Sequence, residues 1–124
     1  MDYLLQGESS KKIYSTIKDL PIIDYHCHLD DKAIKEDKTF LNIGELWLSG
    51  DHYKWRVMRL CGVSEDYITG DKPYIDKFNK FAEILPNLCG NPVYAWTHME
   101  LAQIFGIEKP LNCNTAEEIW NAYR

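Results

Sequence analysis

His26 and His28 stand one residue apart in the stretch LPIIDYHCHLDD, residues 20–31. In an extended strand alternate side chains share a face, so Asp24, His26 and His28 would project together. Two imidazoles on one strand face can reach a single metal ion, with Zn–N bonds of about 2.0–2.1 Å. Cys27 would then point the other way, as a structural thiol. The same spacing also suits surface histidines or satisfied core histidines, and two ligands do not complete a site.

A second stretch, ELWLSGDHYKWRVMRLCGV at residues 45–63, carries further candidates. At 100° per residue, His52, Arg56 and Arg59 fall on one side of a helix with Trp55, and Tyr53, Val57 and Leu60 form an adjacent stripe. An amphipathic helix with a solvated face accounts for this pattern alone. A carboxylate site accounts for it too, because an arginine fork and a helix N-terminus both suit that ligand. His98 falls on the apolar side of its helix with Tyr94, Leu101 and Phe105, which predicts a core histidine hydrogen-bonded to a neighbour. Trp47, Trp55, Trp96 and Trp120 read as packing residues.

The elements that must position these groups are mostly helices. SSKKIYSTIKDLP predicts a short helix capped by Ser9 or Ser10, with Ile13, Ile17 and Leu20 at helical spacing and Pro21 as its stop. Ile22 and Ile23 lead into the one strand expected, ending at His28. DDKAIKEDKT reads as a solvated loop. NIGELWLSG predicts a helix ended by Gly50. Asp51 caps the next, HYKWRVMRLCG, and Gly62 stops it. KPYIDKFNKFAEILP carries Tyr74, Phe78, Phe81 and Leu85 on one stripe, with Pro73 near its start. NPVYAWTHMELAQIFG has Asn91 as cap, Pro92 at its first position and Gly106 at its stop. TAEEIWNAYR opens on a capping box, Thr115 with Glu118, and is expected to run on to Arg124.

One strand and five or six helices leave a strand whose backbone groups need partners. The expectation is therefore the N-terminal part of a larger protein. Residues 1–31 would hold the first helix and strand, and residues 42–124 a helical segment. The 124 residues carry a formal charge of −5 and are 45% hydrophobic, the composition of a soluble globular domain. The acidity argues against a nucleic acid partner. No apolar run approaches the roughly 20 residues of a membrane span. The start, MDYLLQGESSKK, lacks an export pattern, so the cytoplasm is expected. Cys27, Cys61, Cys89 and Cys113 form no CxxC pair and read as reduced thiols.

DYHCHLD resembles the first-strand motif of the amidohydrolase superfamily, metal-dependent enzymes on a distorted (β/α)₈ barrel. TatD-type deoxyribonucleases open on a similar HxHLD, so this motif alone leaves a metal-dependent hydrolase open, as well as a non-catalytic helical module. ELWLSGDHYKWRVMRLCGV is more specific: with LPIIDYHCHL before it and YAWTHMELAQIFGI after it, it resembles the uronate isomerase family, also called glucuronate isomerase. The resemblance covers nearly the whole chain.

It implies an α/β fold in which this segment, mostly α-helical with one metal-bearing strand, begins a (β/α)₈ barrel. It implies an aldose–ketose isomerisation of hexuronates, D-glucuronate to D-fructuronate and D-galacturonate to D-tagaturonate. The proton would move from C2 to C1 through a cis-enediol. A divalent metal, expected to be zinc, would be held in part by His26 and His28. His52 and Tyr53, at the family's active-site positions, would be catalytic. Arg56, from helix geometry, would bind the substrate carboxylate. The main catalytic aspartate, a further histidine and other arginines would come from later barrel strands, so turnover by this segment alone is not expected. A homo-oligomer of the longer enzyme stays open.

Overall fold

The structure is a computed structural model and describes residues 5–123. It divides into two units, Met1–Thr39 and Phe40–Arg124. Helix α1, Glu8–Ile17, begins one residue after Gly7. The expected serine cap acts differently: the Ser10 hydroxyl accepts from the Gly7 N–H at 3.2 Å and donates to the Gly7 carbonyl at 2.7 Å. The loop expected after residue 30 instead contains a short helix, α2, Asp31–Lys35. Asp30 starts it, its carboxylate accepting from Lys32 N–H at 3.0 Å and Ala33 N–H at 3.3 Å. No described residue of this unit is buried.

The expected strand is absent: residues 21–30 lie outside regular structure, and no strand occurs among the described residues. A strand is stable only when its N–H and C=O groups find a ladder partner, and the described residues offer none. Ile22 and Ile23 are 92% and 87% exposed.

The second unit is a helical cluster. Helix α3, Ile43–Leu48, is capped by Asn42, whose side chain accepts from Glu45 N–H at 2.7 Å. Helix α4, His52–Leu60, follows Asp51. It stops at Gly62, which takes φ +77°, while Val63 N–H bonds Met58 C=O and Gly62 N–H bonds Arg59 C=O. Those two bonds satisfy carbonyls that the ending helix would leave orphaned. A 3₁₀ turn at Glu65–Tyr67 leads to α5, Tyr74–Ile84, and a second turn, Leu85–Leu88, to α6, Pro92–Ile104. Helix α7 is Ala116–Ala122. It ends before the chain does: Tyr123 is extended, and its hydroxyl donates to Phe40 C=O at 3.1 Å.

The capping box expected at Thr115 does not form. Thr115 Oγ1 accepts from Asn112 N–H at 3.0 Å and donates to Pro110 C=O at 2.7 Å, and Glu118 pairs with Lys109 at 2.7 Å. Both partners of the box are therefore engaged in the preceding turn.

Helix α5 lies at the centre. Its Phe78, Phe81 and the following Leu85 are fully buried, as their i, i+3, i+7 spacing requires, and they meet α3, α4 and α7. Ile43, Trp47 and Leu48 of α3, Val57 and Met58 of α4, Ala82 and Ile84 of α5, Val93 and Leu101 of α6, Ala116 and Ile119 of α7, and Ile68 and Leu111 outside the helices complete one core. The buried face of α4 is Lys54, Val57 and Met58, not the expected Tyr53, Val57 and Leu60, since Leu60 and Tyr53 are exposed. The Lys54 stem is buried, while its ammonium reaches Asp51 at 2.7 Å and lies 5.5 Å from the Trp47 ring centre.

Candidate functional site

The first cluster lies in residues 24–28, all exposed. The Asp24 carboxylate does not project beside the histidines. It accepts the backbone N–H of His26 at 3.1 Å, a local turn that bends the chain where a strand would have run straight. The bend brings the two rings to a centroid distance of 4.9 Å at 80°, with Nε2 of His26 3.1 Å from Nε2 of His28. One ring nitrogen donates to the other at that distance. Cys27 is exposed, so it is not a core thiol, and Cys61, Cys89 and Cys113 are exposed and free as well.

The donor set fits part of a zinc site. Two nitrogens each about 2.0–2.1 Å from a tetrahedral ion lie about 3.3 Å apart, close to what these rings already show. Neutral imidazole is the usual ligand form. No group of three or more His, Cys, Asp or Glu able to hold a metal occurs among the described residues.

The second cluster sits at the start of α4. Asp51 Oδ1 accepts from Tyr53 N–H at 2.9 Å and Lys54 N–H at 3.1 Å, and its Oδ2 takes the Lys54 ammonium at 2.7 Å. Burial pushes the Asp51 carboxyl up. The Lys54 charge and hydrogen bonds, with the backbone donors, outweigh this and hold it below its usual 3.8. The carboxylate so fixed sets where the next two side chains leave the helix. The rings of His52 and Tyr53 stack at 4.5 Å. Tyr53 also meets Trp96 of α6, edge to face, at 6.1 Å and 82°.

Arg56 is exposed on α4, one turn beyond His52. Arg59, expected beside it, turns instead to Glu65, with Nε 2.9 Å from Oε2. Hydrogen bonds from Arg59 and Thr69 hold the Glu65 carboxyl down at about 2. The structure thus pairs His26 with His28, and His52 with Tyr53.

His98 takes the expected core role. Its Nδ1 lies 2.8 Å from Tyr94 C=O, and its Nε2 accepts from Leu111 N–H at 3.0 Å. A carbonyl on one nitrogen and an N–H on the other assign the neutral Nδ1–H tautomer. Of the tryptophans, Trp47 is buried, Trp55 Nε1 donates to Leu48 C=O at 2.8 Å, and Trp120 packs on Phe78 at 5.5 Å. Trp96 departs from the packing expectation: it is 48% exposed. Spacing carried no signal for this, since a tryptophan flanking an apolar stripe looks the same in either role.

No helix among the described residues is long and apolar enough to cross a membrane. The family model described as glucuronate isomerase matches residues 1–124. A uronate isomerase of Streptococcus uberis is 53% identical over 120 residues, covering 97% of this chain and 26% of its own length. The uronate isomerase of Bacillus subtilis is 52% identical, covering 96% of this chain and 25% of its own. The crystal structure of uronate isomerase from Thermotoga maritima superposes with a TM-score of 0.90 at 45% identity, over 98% of this chain and 27% of that one. That of glucuronate isomerase from Caulobacter crescentus gives 0.82 at 27% identity, over 90% of this chain and 25% of that one. The chain spans about a quarter of the length of these relatives. With a match that runs from its first residue to its last, the chain belongs to the glucuronate (uronate) isomerase family.

Proposed function

We propose that this chain is the N-terminal portion of an enzyme that interconverts hexuronates and their keto isomers, D-glucuronate with D-fructuronate and D-galacturonate with D-tagaturonate. The observation that carries the reading is the family match along the whole chain, joined to the two imidazole nitrogens converging at 3.1 Å. In this reading His26 and His28 are two ligands of a divalent ion, zinc by the chemistry of the donors, in a (β/α)₈ barrel that further chain completes. When bound, the ion supplies Lewis-acid stabilisation of the negative charge that develops on the sugar oxygens.

The rest of the work assigned to this chain is binding and proton handling. The C2–H bond breaks and a C1–H bond forms, while the hydroxyl proton passes from O2 to O1 as the carbonyl moves. His52 and Tyr53 offer the ring nitrogen and phenol that hydrogen-bond these oxygens and relay that proton. The Arg56 guanidinium binds the substrate carboxylate through its fork.

The test uses the full-length protein that carries this sequence. It should convert D-glucuronate to D-fructuronate in the presence of a divalent metal. His26→Ala should lower bound metal and activity together. Full activity in that variant would remove the ligand assignment. Hydrolysis of phosphodiesters or amides with uronates left untouched would restore the hydrolase reading.

A further inference from the structure

We infer that Trp96 is a positioning residue for Tyr53: its indole holds the phenol of Tyr53 in the orientation from which it meets substrate. This rests on the isomerase reading above. Trp47, Trp55 and Trp120 all serve the core, by burial, by a hydrogen bond to Leu48 and by contact with Phe78. Trp96 does not. The buried side chains of α6 are Val93, Thr97, His98 and Leu101, and Trp96 stands beside that face, 48% exposed. Its ring packs against Tyr53, itself 43% exposed.

The backbone of Tyr53 is already fixed, since Asp51 accepts its N–H at 2.9 Å. Its side chain is not fixed by that bond. A tyrosine side chain on a helix selects among staggered χ1 wells, and neighbouring rings bias that choice. The edge-to-face indole at 6.1 Å and the His52 ring at 4.5 Å favour one well. Helices α4 and α6 pack together, so the indole is carried on a neighbouring rigid element.

The experiment is a double-mutant cycle in the full-length, metal-loaded protein, read as kcat and KM for D-glucuronate. Trp96→Ala should lower kcat roughly three- to tenfold, the scale of one aromatic pair, with KM within about twofold. Trp96→Phe should restore kcat. In the Tyr53→Phe background, Trp96→Ala should cost little more, because the group it positions is gone. Unfolding temperature should be unchanged, since Trp96 adds little to the core. Unaltered kcat in Trp96→Ala overturns the inference, as does an equal loss with Tyr53→Phe present. If Trp96→Ala fails to fold, Trp96→Leu against Trp96→Phe decides: equal kcat in those two overturns it. A wild-type protein inactive on uronates is a different result, visible without any variant, and it sinks the isomerase reading and this one together.

Discussion

Asp51 shows how one short side chain sets several others. It caps α4, fixes the backbone of Tyr53 and neutralises the buried Lys54. Replacing it by Ala removes a cap and leaves an ammonium buried without its carboxylate. The expected loss is about 2–4 kcal/mol of stability, measured by denaturant unfolding. The pH dependence has a definite sign. The folded carboxyl titrates below 3.8, so it binds protons less readily than in the unfolded chain. Its contribution is present in full above about pH 4 and is lost as the pH falls through the folded value. The stability gap between the native protein and Asp51→Asn should therefore be constant near neutrality and close in acid. A gap that widens in acid would contradict this. The capping role of Asp51 was legible from its type and place, and the burial of Lys54 was not. A lysine on an apolar face reads as an error until its stem and its partner are both located.

At the scale of elements, local signals carried the helices and non-local ones did not. Asp51, Asn91, Pro92, Gly62 and Gly106 mark helix ends where the structure has them, because caps and left-handed stops act within one turn. The strand expected at residues 22–28 does not form, because a strand's stability depends on partners far away in sequence. Helix α2 forms where a solvated loop was expected: a five-residue helix held by the Asp30 cap has a composition no different from a charged loop. Close packing was equally silent. A Cβ at Gly44 on α3 would stand 2.7 Å from Tyr74 C=O at the start of α5 and 2.8 Å from Trp120 Cζ3 of α7. The carbonyl belongs to backbone and cannot swing aside. Gly44→Ala should therefore destabilise by about 1–3 kcal/mol despite the better helix propensity of alanine. A lower denaturant midpoint with an unchanged slope is the expected result. A stabilised variant would show that α3 can slide away from α5 at little cost.

At the scale of the whole molecule the two units differ in what holds them. Phe78, Phe81, Leu85, Leu101 and Ile119 lie in one buried core that spans residues 43–119, whereas none of the described residues up to Thr39 is buried. There Ile13, Ile17, Leu20, Ile22, Ile23, Tyr25 and Leu29 are all exposed, Tyr25 by 97%. Ile22, Ile23 and Tyr25, which belong to the expected strand, are the most exposed of these, at 92%, 87% and 97%. Backbone order without burial has a low opening free energy, since helix hydrogen bonds alone barely balance chain entropy. In the 124-residue chain, amides of residues 8–39 should exchange within seconds at neutral pH. Amides in the middle of α5 and α6 should be protected by orders of magnitude. Hydrogen exchange read by peptide mass spectrometry separates the two, and in the full-length protein the first unit should become protected, as a segment that other chain covers. If residues 8–39 were as protected as α5 in the short chain, their order would rest on something other than burial, and the two histidines proposed as ligands would sit on a preformed scaffold. If they stay unprotected in the full-length protein, the proposed barrel does not close over them and the proposal of His26 and His28 as ligands loses its structural support.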